Sequence, residues 1–160
     1  MQSCVYSSPL GTLLLQEQNS ALTQLQFVSD SMKLPLEASD PQIPSSPLLH
    51  KVTEQLGEYF QGTRTEFNLP LAPQGSPFQQ RVWAMLQQIP YATTWSYAQL
   101  AHHIGGKNYA RAVGNANGKN PLPIIIPCHR VIAHNGALGG FSSGLDKKIA
   151  LLKLEGLNFQ

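Results

Sequence analysis

The stretch SPFQQRVWAMLQQIPYATTWSYAQLAHHIGGKNYARAVGNA, residues 76–116, decides the fold of the second half of the chain. Ser76 precedes Pro77 and stands three residues before Gln79. In that pattern the serine hydroxyl and the glutamine amide satisfy each other's free backbone N–H groups at a helix start. Phe78, Val82, Met85, Leu86 and Ile89 then recur at helical spacing until Pro90 ends the run. Ser96 and Gln99 repeat the device. Tyr97, Leu100, Ala101 and Ile104 form the next apolar stripe, and Gly105–Gly106 stops it. A third helix is expected from about Asn108 to Ala116. Short helices joined by a glycine turn have the form of a helix-turn-helix, which helical domains that never meet DNA also adopt.

The third helix carries small residues on its expected open face: Ala110, Ala112, Gly114 and Ala116, with Arg111 as the single long basic side chain. Such a face can approach a narrow groove closely while the arginine reaches in, although tight helix packing would use small residues equally well. Charge distribution favours the first reading. Residues 1–70 hold three Lys/Arg and seven Asp/Glu, whereas residues 71–160 hold eight and two, so a net charge of +2 conceals halves of −4 and +6. A polyanion surface confined to the second half fits this balance, and its low charge density suits a compact footprint.

Working towards the N-terminus, Pro70–Ser76 is the expected boundary between an N-terminal α/β domain, residues 1–72, and a second domain, residues 76–160. In the first, strand-like pieces at Val5–Tyr6, Thr12–Leu15 and Leu22–Phe27 are separated by the turn signals Pro9-Leu10-Gly11 and Gln18-Asn19-Ser20. Residues 30–47, with Pro35, Pro41, Pro44 and Pro47, read as a surface loop. Leu49, Val52, Leu56, Tyr59 and Phe60 mark a helix stopped by Gly62. The expected fold is α+β, a small antiparallel sheet with a helix followed by a helical domain. No leader and no apolar run long enough to span a membrane stand out, so a cytoplasmic protein with no membrane contact is expected.

Towards the C-terminus, Asn120-Pro121-Leu122-Pro123 gives a rigid approach to Ile124–Ile126, which reads as a buried strand-like piece. Gly136, Gly139, Gly140 and Gly144 punctuate a loop carrying Phe141, Ser142 and Ser143. Ser143, with Asp146 three residues on, is expected to cap a last helix whose stripe is Leu145, Ile149 and Leu152. Between these lies Pro127-Cys128-His129-Arg130. The chain has only Cys4 and Cys128, too few for a disulfide scaffold. A thiol beside an imidazole is a nucleophile only if the thiolate is favoured, and His129 or His134 could do that, with Glu155 orienting the ring. Free cysteine is also common core filler. Zinc ligands at clustered spacing are missing, and His102–His103 suit a wet helix face.

Pro127-Cys128-His129-Arg130-Val131 resembles the signature of the O6-alkylguanine-DNA alkyltransferases. The resemblance extends over residues 76–156 through Tyr97, Ala110-Arg111-Ala112-Val113-Gly114, Asn120-Pro121, the Gly/Ser loop and Leu154-Glu155-Gly156. Ser8-Pro9-Leu10-Gly11 is similar to the family's N-terminal hairpin. The resemblance implies a ribonuclease H-like first domain and a "winged helix"-like second one. It further implies single-turnover transfer of an alkyl group from O6 of guanine, with O4 of thymine as a further target, in double-stranded DNA to Cys128.

The same resemblance assigns roles. His129 matches the base that activates the thiol through a bound water, Glu155 the acid that orients that histidine, and Asn120 the residue that organises the turn. Tyr97 matches the residue that assists the flipped base, and Arg111 the one inserted where that base has left. Ala110 and Ala112 allow close approach, and Arg130 is placed with the DNA-binding residues. Ser142 is expected near guanine O6, Phe141 as an aromatic wall where many relatives carry tyrosine, and Lys148 beside the pocket. No cofactor or metal is implied, the family's N-terminal zinc ligands being absent, and a monomer without a regulatory domain is expected. Rival readings are a non-catalytic binder of alkylated bases, a Cys-His hydrolase and a transcription factor. Cys128 opposes the first, and Arg111 on its small-residue helix is left unexplained by the second. The third lacks base-reading amides on its second helix.

Overall fold

In a computed structural model of the chain, residues 2–29, 46–133 and 135–159 are described, together with the backbone of Ala38–Ser39. Pro35, Pro41, Pro44 and His134, singled out above, lie outside the described residues. The chain forms two compact units, Met1–Pro73 and Gln74–Gln160.

In the first unit, β1 (Gln2–Ser8), β2 (Gly11–Gln18) and β3 (Ala21–Phe27) make an antiparallel meander. Each strand extends beyond the apolar residues that announce it, because backbone pairing continues through polar positions. Asn19 and Ser20 have φ of 54° and 62°, the left-handed pair that closes a two-residue hairpin along the twist of its strands. The presumed loop contributes one element: β4 (Ala38–Ser39) pairs parallel with β1, giving the order β3-β2-β1-β4. Pro47 belongs to a helix rather than to the loop, opening α1 (Pro47–Phe60), whose N-cap Ser46 accepts from the Leu49 N–H. Leu49, Val52, Leu56 and Tyr59 are buried, as are Leu13, Leu15, Leu22 and Leu25 of the sheet, and together they form the apolar core.

In the second unit, α2 (Pro77–Leu86) and α3 (Tyr97–Ile104) both start with complete capping boxes, Ser76 with Gln79 and Ser96 with Gln99. After Gly105–Gly106 a 3₁₀ turn, Lys107–Tyr109, leads into α4 (Ala110–Gly118), so the third helix starts later and ends later than its sequence suggests. Helices α2, α3 and α4 pack on one another. The Trp83 indole donates to the Ala116 carbonyl at 2.8 Å, and Arg81 donates to the Ile104 carbonyl at the end of α3. Ala116 is therefore buried in the packed face, not exposed with Arg111 and Ala112.

Two expectations fail here. Ile124–Ile126 is not a strand but a tight buried turn: Ile126 N–H donates to the Leu122 carbonyl, and Ile124 has φ +77°. A short apolar run carries no period, so burial alone did not identify the element. The strand is the next pair: β6 (Val131–Ile132) runs parallel to β5 (Trp95–Ser96). The last helix, α5 (Leu145–Leu154), has Gly144 at its N-cap with φ +108° and no side-chain cap, so Ser143 does not cap it. A left-handed glycine there turns the chain by backbone conformation alone.

Candidate active site

A 3₁₀ turn, Cys128–Arg130, follows the buried isoleucine turn and precedes β6. Asn120 builds this corner. Its amide donates to the Ile126 carbonyl at 2.8 Å, its Oδ1 accepts from Leu122 N–H at 2.9 Å, and it also hydrogen-bonds the Cys128 thiol. Cys128 is buried, and burial raises its pKa to about 11, against the lowering influence of Asn120 and of the Lys148 charge. The resting group is therefore a thiol, and a proton acceptor is needed before it can act as a nucleophile.

The next residue in the chain is an imidazole held by a carboxylate. His129 Nε2 lies 2.7 Å from Glu155 Oε2, with both side chains fully buried. The carboxylate can only accept, so Nε2 carries the hydrogen and the lone pair of the neutral ring falls on Nδ1. His129 Nδ1 is buried and has no protein partner among the described residues. Burial lowers the histidine pKa; Glu155 raises it, and the Arg130 and Lys148 charges lower it further.

Glu155 follows the last residue of α5 and gathers donors from two segments. Besides His129 it accepts from the Ala92 N–H at 3.0 Å and from Arg130 Nε and Nη2 at 2.9 and 3.0 Å. Arg130 Nη1 donates to the Ile89 carbonyl at 2.8 Å, and its guanidinium lies 5.7 Å from the Tyr91 ring centroid. Placing Arg130 among DNA-binding residues is thus corrected: it is buried, and its guanidinium is committed to Glu155 and Ile89.

Lys148 is likewise an interior residue. Its ammonium donates to the carbonyls of Val131 and Leu138, both at 2.6 Å, and of Gly140 at 3.0 Å. Burial lowers its pKa to about 8, with the Cys128 charge opposing. Through these bonds it fixes the Gly/Ser loop to β6. The side chain is fully buried, so Lys148 is not a DNA-contacting residue. Phe141 is half-buried and Ser142 exposed on the same loop.

Tyr97 closes the group. Its hydroxyl is hydrogen-bonded by the Gly140 backbone and the Asn117 side chain, while burial and the nearby Cys128 raise its pKa. Gly139 has φ +72°, and a Cβ there would sit 3.0 Å from the Tyr97 ring, so the loop approaches the ring only as glycine. The structure thus gathers Cys128, His129, Glu155, Asn120, Tyr97 and Lys148. Arg111 and Ala112 are exposed on α4, with Ala110 half-buried. Among the described residues no group of three His, Cys, Asp or Glu side chains gathers to hold a metal ion. Ala92, Ile89 and Asn117 escaped sequence reasoning. The first two act through backbone atoms, which no residue type advertises, and Asn117 lies in the last turn of α4, where asparagine carries no special signal.

The chain is similar to known proteins over nearly its whole length. Residues 2–73 match the family profile described as 6-O-methylguanine DNA methyltransferase, ribonuclease-like domain, and residues 77–157 the one described as 6-O-methylguanine DNA methyltransferase, DNA binding domain. The methylated-DNA–protein-cysteine methyltransferase of Methanosarcina acetivorans is 42% identical over 156 residues, 98% of this chain and 99% of that protein. The constitutive one of Bacillus subtilis is 41% identical over 156 residues, 96% and 94% of the two chains. The crystal structure of Mycobacterium tuberculosis OGT in complex with DNA superposes with a TM-score of 0.86 at 41% identity, covering 98% of this chain and 93% of that one.

Proposed function

Because the chain belongs to the 6-O-methylguanine DNA methyltransferase family, we propose that it repairs DNA by extruding an O6-alkylguanine and transferring its alkyl group, once per molecule, to Cys128. The enzyme is a methylated-DNA–protein-cysteine methyltransferase, and its reaction is repair by alkyl transfer to cysteine. The observation that carries the assignment of the acceptor is the buried row Cys128, His129, Glu155, in which Nε2 is engaged and Nδ1 is left to take a proton.

An O6 substituent inside a duplex cannot reach a buried thiol, so the nucleotide must leave the stack. In this reading α3 and α4 act as a helix-turn-helix at the minor groove. Ala110, Ala112 and Gly114 permit close approach, and Arg111 enters the space left by the base. His129 takes the thiol proton through a bound water, and the sulfur attacks the alkyl carbon as the carbon–oxygen bond breaks and the electron pair passes to guanine. Ser142 near O6 and Tyr97 near N3 would stabilise that developing anion. Phe141 supplies a wall without a hydroxyl, so Ser142 carries more of the load at O6. The product is a thioether with no neighbouring group suited to cleave it.

The test is direct. O6-methylguanine duplex in excess over protein gives a burst equal to the protein concentration, and peptide mass places the methyl on the Cys128 peptide alone. Continued turnover, or an unmodified Cys128 peptide, rejects the proposal.

A further inference from the structure

Arg130 contributes more than a structural ion pair. The Glu155 carboxylate has about four acceptor positions, and four donors occupy it: Ala92 N–H and Arg130 Nε on Oε1, His129 Nε2 and Arg130 Nη2 on Oε2. The guanidinium is itself held by the Ile89 carbonyl and lies against Tyr91, so it cannot drift from the carboxylate. We infer that Arg130 is a positioning residue of the transfer reaction: it orients Glu155 and balances its charge, so that His129 keeps Nε2–H and presents an unprotonated Nδ1 to the Cys128 proton. This rests on the proposed role of His129 as base.

A bare carboxylate 2.7 Å from an imidazole would draw a second proton onto the ring, and an imidazolium cannot accept one from a thiol. A permanently charged guanidinium paired fork-to-fork with that carboxylate cancels most of the attraction while leaving Oε2 in place as acceptor. The other charged or titratable groups around the ring are Lys148 on α5 and Cys128 beside it, with Tyr97 facing Cys128 in turn. Lys148 adds to the effect of Arg130. The lowered pKa of His129, to which both cations contribute after burial, agrees with this arrangement. The step it prepares balances simply. The Cys128 proton moves to Nδ1, the sulfur forms its bond to the alkyl carbon, and guanine leaves with the electron pair.

The experiment is a nitrogen NMR titration of the His129 ring in the DNA-free protein, paired with the pH profile of methyl transfer. In the wild type the ring is expected as the neutral Nε2–H tautomer at neutral pH. Arg130→Gln should raise the titration midpoint and displace the acid limb of the transfer rate to higher pH. Arg130→Lys, which keeps the charge but loses the fork, should lower the plateau rate and leave the acid limb in place. A cationic or Nδ1–H ring in the wild type overturns the inference, as does an unshifted midpoint in folded Arg130→Gln. Should Arg130→Gln fail to fold, an acid limb displaced in Arg130→Lys overturns it equally. An unmodified Cys128 after incubation with alkylated DNA would instead reject the proposed function, whatever the ring titration shows.

Discussion

Tyr97 and Lys148 hold the same residue from opposite sides: the Tyr97 hydroxyl accepts from the Gly140 N–H, and Lys148 Nζ donates to the Gly140 carbonyl at 3.0 Å. One residue opens α3 and the other lies within α5, so the loop wall is tied to both helices. Lys148→Met keeps the bulk of the side chain but leaves three carbonyls without their donor. A loss of about 2–4 kcal/mol is expected. Denaturant unfolding reads the loss. Amide exchange should accelerate in residues 138–144 before it does in α2.

Cys128→Ala should abolish methyl transfer yet preserve binding to O6-methylguanine duplex, measured by fluorescence anisotropy. The thiol is small and buried and Asn120 holds the turn through backbone atoms as well, so the corner survives the change. Loss of both properties would show that the thiol is structural.

Glu155→Gln removes the charge that Arg130 is buried against. An unpaired interior guanidinium costs roughly 3–5 kcal/mol. The variant should therefore unfold at markedly lower denaturant, and any folded fraction should transfer methyl slowly. Wild-type stability in this variant would mean that the ion pair is not buried as described.

Arg111→Ala changes an exposed side chain, so folding stability should move by no more than about 0.5 kcal/mol. Affinity for duplex should fall, and the slope of log affinity against log salt should shrink by about one. An unchanged salt slope would remove Arg111 from the DNA interface.

Alkaline pH should destabilise the fold through its two thiols. Burial, assisted by Glu17, raises Cys4 from the ordinary 9.0 to about 11, and burial raises Cys128 likewise. A folded pKa above the unfolded one means that the folded state retains protons the unfolded chain has lost. The stabilisation is complete below about pH 9 and is lost as pH rises through about 11. Lys148, lowered to about 8, works in the opposite direction. Cys4→Ala should flatten the alkaline decline of the first unit's unfolding, and an unaltered slope would rule Cys4 out as its source.

The legible parts of the sequence are those whose signal is local. Ser76 with Gln79 and Ser96 with Gln99 announce two helix starts, because a capping box needs only residues three apart. The apolar stripe from Leu49 to Tyr59 announces α1 for the same reason. Ile124–Ile126 was misread because a buried turn and a buried strand are equally apolar, and what distinguishes them is the Asn120 side chain reaching two backbone groups. Ser143 satisfied a pattern that Gly144 supplants. The resemblance puts Arg130 with the DNA-binding residues and Lys148 beside the pocket, and neither sequence context announces a buried cation, since cations usually stay wet. Their interior partners, a carboxylate 25 residues away and three carbonyls from two segments, are products of tertiary structure. Glu155 is a candidate partner of the ring on residue type alone, but nothing in the sequence brings it to His129 across 26 residues.

Helix α4 is fastened at its far end and free at its near one. Trp83 grips the Ala116 carbonyl, and Asn117 reaches the Tyr97 hydroxyl, while Arg111 projects into solvent. In the reading proposed above, a duplex that meets Arg111 loads the exposed first turn of a helix whose last turn is fastened to Trp83 and Tyr97. Changes at Arg111 are then expected to alter duplex affinity, and changes at Trp83 to alter how α4 is held against Tyr97.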